Sequence, residues 1–432
     1  MSSYRIALRE GGPGGLGLGW PIVSVGTIVV ALAMAELASA FPTAGALYHW
    51  AALLGGKGSG WMVAATNLVG QVAIVAAIDL GCADSIASIA GAGDAVRLPL
   101  FFAVVVSHAL VNAFSFKIVS WLNDASAVVH IVGVVVLVVL LFTFGRHHGA
   151  SWLADRSHTF RDDGNTTLGF FGALTLGMWT MTGYDASAHV SEETHDPSRR
   201  APMGILSSVI VSAVFGYALI CGLTLAIDDL PSVAGKTDPA LEILSSGIGP
   251  RWGAVAMGLA SLAMWFCGLS ALTSASRTFF AFSRDRGLPG SDWIRIVHVR
   301  FKTPIVAIVV ASTLSVLLVL ATRSNGEAFE ASTSLATTGL YVSYAIPIAL
   351  GAVARMRGRW KRKGPFDLGR VGVPIAWAAV AWSVFVVVVF ALPPRGRFGI
   401  ALAITLATLA ASYLLFARRT FRGPSLTLDM LE

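Results

Sequence analysis

Charge and cysteine are what this chain has least of. Asp, Glu, Lys and Arg make up 13% of its 432 residues, against 55% hydrophobic residues and a mean hydropathy of +0.72. Soluble globular domains carry about 25% charge, so a soluble enzyme or nucleic-acid-binding domain is excluded and an integral membrane protein is indicated. The three cysteines, Cys82, Cys221 and Cys267, each lie inside an apolar stretch. They lack the spacing of a zinc site or a disulfide framework, and neither is expected. There is no GxxxxGK[ST] phosphate loop, no HExxH and no GxSxG. An ATP-driven pump and a membrane hydrolase are therefore set aside, and no cofactor is expected. Residues 1–20 hold Arg5, Arg9, Glu10 and a Gly/Pro cluster where a secretory signal would need a short apolar core and a cleavage site.

What the chain has in abundance is apolar runs of spanning length. At about 20 residues per membrane helix, eleven candidates fall at 20–41, 61–90, 98–116, 119–145, 168–191, 203–227, 253–283, 303–322, 331–354, 373–392 and 398–417. Between the first two, residues 42–50 are too short to cross and too apolar for a plain loop, which suits a short interfacial helix. Nothing between the runs is long enough to fold alone, so one membrane domain is expected over 20–417. It is flanked by an N-terminal segment, 1–19, and a tail, 418–432. The formal charge of +7 is explained by topology: with the C-terminus inside, 19 basic loop residues face the cytoplasm and 11 face out, the bias of the positive-inside rule. The densest runs, after Ser283 and from Arg355 to Arg370, are then cytoplasmic. The basic run at 355–363 also suits an anionic-lipid site.

One span is interrupted in its middle by Thr180-Met181-Thr182-Gly183-Tyr184-Asp185. Free backbone groups and a carboxylate at that depth are costly unless they line a cavity or find partners, and discontinuous helices are where secondary transporters hold substrate. The alternative is a kink repaired by Thr hydroxyls bonding back to the helix.

Four stretches in order resemble the amino acid–polyamine–organocation permeases, in particular their amino acid/choline branch. They are Val30-Ala31-Leu32-Ala33-Met34-Ala35-Glu36 with Ala40-Phe41-Pro42-Thr43-Ala44-Gly45; Gly183-Tyr184-Asp185-Ala186 with His189-Val190-Ser191-Glu192-Glu193; Phe282-Ser283-Arg284-Asp285-Arg286-Gly287-Leu288-Pro289; and Gly364-Pro365-Phe366-Asp367-Leu368-Gly369-Arg370. The resemblance implies an all-α bundle of inverted five-helix repeats whose first and sixth core helices unwind around a central site. Matched onto this sequence, 168–191 is the sixth helix and 20–41 the second. Glu10-Gly11-Gly12-Pro13 resembles the stretch just after the first, which is expected to be absent, with residues 2–20 either outside or folded as a short helix. Arg286 stands where the family usually has Gly.

The implied function is a permease for an amino acid or a small amine such as GABA, choline or a polyamine, proton-coupled or facilitated, in the cell membrane and with no nucleic-acid partner. A truncated, non-transporting membrane protein and a channel are the rival readings. The substrate-site candidates are Trp179, Thr180, Thr182, Gly183, Tyr184, Asp185 and, from the third family helix, Gln71; Asn67 shares the face of Gln71, which equally suits polar contact between helices. Asp185 could hold a cationic head, move a proton or bond across the break. His130 matches the lysine that replaces a coupling sodium ion in some relatives, and it is read either as a tunable coupling group or as a hydrogen-bonded structural residue. Glu36, Glu192 and Glu193 face the basic inner surface, as gate ion pairs or as ordinary solvated charge.

Overall fold

In hydrocarbon a backbone must satisfy its own polar groups, and a single segment can do that only as a helix. The computed structural model describes residues 2–424 apart from 44, 115, 146, 192–193, 324–326 and 393–394, and no strand occurs among them. The helices are α1 (Ser2–Ala40), α2 (Ala46–Gly55), α3 (Lys57–Ile89), α4 (Asp94–Phe114), α5 (Phe116–Phe144), α6 (Thr166–Thr180), α7 (Ala186–His189), α8 (Pro197–Leu225), α9 (Leu230–Gly235), α10 (Pro239–Ile248), α11 (Pro250–Arg284), α12 (Ser291–Ile294), α13 (Ile305–Thr322), α14 (Ala328–Met356), α15 (Gly372–Ala391), α16 (Gly396–Ser412) and α17 (Arg418–Thr420). Ten of these, among the described residues, are long and apolar enough to cross a membrane. The remaining expected span is divided between α6 and α7, and the short helix anticipated at 42–50 is α2.

The first span is longer than its hydropathy suggests. The helix runs from residue 2 to 40 and departs from helical geometry at Gly12, whose φ of +57° turns the chain between residues 2–11 and the long remainder. Residues 2–11 fold as a short helix in their own right: Tyr4, Ala7 and Leu8 are buried, and Tyr4 Oη lies 3.3 Å from Thr224 Oγ1 on α8. The Gly cluster that hides this segment from a hydropathy reading is what lets it pack. A Cβ at Gly11 or Gly15 would come within 2.8 and 2.7 Å of the Ala173 Cβ, so α1 and α6 touch almost backbone to backbone. The result is that α1 packs with α6 and α8, α3 packs with α4, α11, α13 and α14, and α15 joins the two sets through α1 and α14.

The two ends of the bundle differ. At one end the basic loops converge. Glu36 meets Arg355 at 2.8 Å and accepts from Leu368 N, Ser39 Oγ donates to Ser198 O, Tyr48 Oη donates to Asp285, and Trp61 Nε1 donates to Gly287 O. At the other end, Glu10 meets Arg161 and Arg395, and Arg395 continues to Glu330 at 2.9 Å. Glu36 is thus an ion-paired residue, while Glu192 and Glu193 lie outside the described residues. Arg286, in the place of a family glycine, adopts φ +63°, a left-handed conformation that suits glycine and strains an arginine; its guanidinium is held by Asp292 at 2.7 Å.

Candidate functional site

α6 stops at Thr180 because Met181 leaves helical geometry and Gly183 sits at φ +82°, which only a residue without Cβ adopts freely. The two threonines repair part of the break. Thr180 Oγ1 donates to Leu176 O at 2.7 Å and Thr182 Oγ1 to Trp179 O at 2.8 Å. Their hydroxyls are thereby tied to the helix, as in the kink alternative; Met181 N still donates to Gly177 O and Asp185 O accepts from His189 N, so the regular ladder is interrupted over 182–184.

The break opens onto a cavity of about 440 Å³, a size that suits a small-molecule site. Its wall includes Trp179, Thr180, Thr182 and Gly183 from the break, Ser3 from the first short helix, Gln71, Ile74 and Ile78 from α3, Ser126 from α5, Cys267, Ser270 and Ser274 from α11, and Phe329 from α14. No charged side chain lines it among the described residues. The space beside Gly183 is open: a Cβ built there meets nothing within 4 Å. Phe329 also borders a cleft of about 320 Å³ lined by Arg5, Arg9, Asp84, Arg97 and Glu327, at the end of the bundle away from the basic loops. A second cleft there, of about 490 Å³, is lined by Glu10, Arg161, Asp163, Glu330 and Arg395. The Arg161 guanidinium beside Asp163, at 2.7 Å, holds that carboxyl down to about 2.

Of the residues expected at the site, Trp179, Thr180, Thr182, Gly183 and Gln71 share this wall. Tyr184 and Asp185 are placed behind it, 5% and 0% exposed. Asp185 Oδ1 accepts from Tyr344 Oη at 2.7 Å, and Oδ2 from Asn67 Nδ2 at 3.2 Å, with His189 Nε2 also at 3.2 Å. Tyr344 Oη in turn accepts from Gly183 N at 3.3 Å. Of the three roles open to Asp185, this geometry provides the third: the carboxylate anchors the break to α3 and α14. His130 lies one layer out. Its Nδ1 is 2.8 Å from Ser126 O and its Nε2 is 3.5 Å from Cys267 Sγ, and both Ser126 and Cys267 reach the cavity. Sequence reasoning missed Ser3, Ser126, Ser270, Ser274 and Phe329, for a single Ser or Phe in an apolar run carries no spacing signal.

A multi-pass helical bundle, broken where an uncharged cavity meets bare backbone, defines a membrane transporter. The amino acid permease family model matches residues 2–416. The chain is similar to the amino-acid permease BAT1 of Arabidopsis thaliana, 34% identical over 98% of this chain and 89% of that one. It is also similar to a BAT1 homolog of Oryza sativa subsp. japonica, 32% identical over 99% and 88%, and to the GABA-specific permease of Saccharomyces cerevisiae, 29% identical over 89% and 71%. The chain belongs to the amino acid permease family. It is a transporter of the amino acid–polyamine–organocation superfamily and not an enzyme.

Proposed function

We propose that the protein is a proton-coupled secondary transporter of zwitterionic amino acids, GABA included, working by alternating access in the cell membrane with the basic end and C-terminus on the cytoplasmic side. The observation that carries the reading is the uncharged cavity at the break. A zwitterion has no net charge, so hydroxyls, Gln71 and the backbone groups around Thr182 that lie outside the helical ladder can serve both its ends. Choline or a polyamine brings net positive charge, and the carboxylate at the break, Asp185, has its lone pairs engaged by Tyr344, Asn67 and His189. Trp179, Thr180, Thr182, Gly183 and Gln71 would contact substrate, Tyr184 and Asp185 would set the shape of the break, and His130 is a candidate for protonation behind the wall. The clefts at the end opposite the basic loops fit an outward-facing entry, with Glu36–Arg355 and Tyr48–Asp285 holding the inner end shut.

The test is a thermal-shift screen of the purified protein against amino acids, GABA, choline and polyamines, because a ligand bound only by the folded state raises its stability. Zwitterions should shift the melting temperature of the wild type, and Gly183→Leu, whose side chain would fill the open space, should abolish the shift. A folded Gly183→Leu variant with undiminished affinity would move the site elsewhere. Shifts from choline or polyamines alone would overturn the zwitterion reading.

A further inference from the structure

A second buried carboxylate lies behind the same wall, and the transport site does not use it. Asp79 on α3 and His108 on α4 are both 0% exposed, with Oδ1 and Nδ1 3.1 Å apart. The two atoms are close without being aligned as a hydrogen bond. Both oxygens of Asp79 and both ring nitrogens of His108 are left without a hydrogen-bond partner. A carboxylate so placed is expensive in hydrocarbon, and intramembrane ionisable groups mark ion or proton pathways more often than structure. The surroundings are fitted to the pair. A Cβ at Gly268 on α11 would collide with Asp79 Oδ1 and the His108 ring, so glycine leaves the room the pair fills. The Trp265 ring packs beside His108, tilted by 49° at 5.1 Å between centroids, and its indole N–H donates to Ser107 Oγ at 2.9 Å.

Position connects the pair to both water and cavity. Ile78 and Cys267 line the central cavity, and Asp79 and Gly268 are the next residues on the same two helices, about 100° around each axis. Asp84, five residues along α3, lines the outer cleft with Arg97, about 7.5 Å from Asp79 along the helix axis. Among residues whose side chains are described, the other titratable groups on the helices packed here are Lys57, Cys82 and Asp84 on α3, Arg97 on α4, Asp124 and His130 on α5, Arg251, Cys267, Arg277 and Arg284 on α11, and Glu330, Tyr341, Tyr344 and Arg355 on α14; α13 has none. Asp84 has Arg97 at 3.6 Å.

We infer that Asp79 and His108 form the proton-binding site through which this permease couples substrate movement to a proton gradient. The inference rests on the transporter reading above and adds the place where the proton sits. A proton from water in the outer cleft forms an N–H bond on neutral His108 beside the Asp79 carboxylate, taking the pair from net charge −1 to zero. Breaking that N–H bond returns the same proton to water on the other side. Because Asp79 follows the cavity-lining Ile78 on α3, and Gly268, which packs against the pair, follows the cavity-lining Cys267 on α11, changing the pair's charge changes how tightly the wall is held.

The experiment uses the full-length protein in liposomes with tritiated amino acids and GABA. With an inside-alkaline gradient of about one pH unit, one proton per substrate supports up to about tenfold accumulation by the wild type. Asp79→Asn and His108→Gln should lose that accumulation and keep exchange of labelled for unlabelled substrate at equal pH, since exchange moves no net proton. Retention of gradient-driven accumulation in both variants would overturn the proposal, as would wild-type accumulation indifferent to the gradient. Loss of exchange together with accumulation would mark the pair as structural, and loss confined to His130→Gln would assign the proton there instead. A wild type that exchanges none of the compounds would remove the permease reading itself, a different failure from any of these.

Discussion

Asp185 and Asp79 are both fully buried, each beside a histidine, and their environments could hardly differ more. Asp185 accepts from Tyr344 and Asn67 and has His189 at 3.2 Å, so its charge is shared across three elements. Asp79 has His108 alone, at 3.1 Å and out of line. A carboxylate surrounded by donors is fixed in one protonation state and holds structure; one with a single titratable neighbour and unmet hydrogen-bonding capacity is free to change state. Burial alone therefore does not identify function, and the inventory of partners does.

The comparison breaks most simply at the carboxylates themselves. Asp185→Ala should destabilise the fold by about 3–5 kcal/mol, because it strands the donors of Tyr344, Asn67 and His189 in a water-free interior. Asp79→Asn should cost much less, since no aligned bond is lost and the charge goes with it. Melting temperatures in detergent, read side by side, check this. Equal losses for the two variants would erase the distinction between an anchoring and a switching carboxylate.

Much of this architecture can be read from the sequence. The break at 180–185 announces itself because Gly and Asp interrupt an apolar run, and the basic loops announce a common side because topology is written in Lys and Arg. Two things do not. Residues 2–19 contain Glu10 and a string of glycines, so hydropathy begins the span at 20, whereas the glycines are there to let α6 come close. The Asp79–His108 pair is invisible because its members lie on different helices with no local spacing to link them; only packing brings them together. Asp185 was readable as important but not in its direction, since a break has no helical periodicity from which to deduce which way a side chain turns.

The glycines beside the two carboxylates sharpen the contrast. At Gly268 an added methyl meets Asp79 and His108, so Gly268→Ala should overpack the pair, costing about 1–3 kcal/mol, and should disturb gradient-driven uptake more than substrate binding. At Gly183 there is open space, so Gly183→Ala should cost only the left-handed backbone strain of about 1–2 kcal/mol and should act on substrate binding first. Uptake and affinity measured on both variants separate the two effects. If Gly183→Ala weakened coupling and left affinity intact, the roles assigned to the two regions would be exchanged.

The smallest effect is expected at a carboxylate in water. Asp163 meets Arg161 in a two-bonded contact, and that guanidinium, with the Asn165 amide, holds its carboxyl down to about 2. The side chain is half exposed, and Arg161 keeps Glu10 at 2.7 Å when Asp163 is neutralised, so solvent screening and a second partner leave little to lose. Because the folded-state pKa lies below the usual value of about 3.9, the contribution is present above about pH 4 and fades as pH falls towards 2. Asp163→Asn should therefore melt slightly below wild type at neutral pH, and the difference should close on acidification through that window. A difference that persisted unchanged at the acid end would mean that Asp163 acts through its shape in the loop and not through its charge.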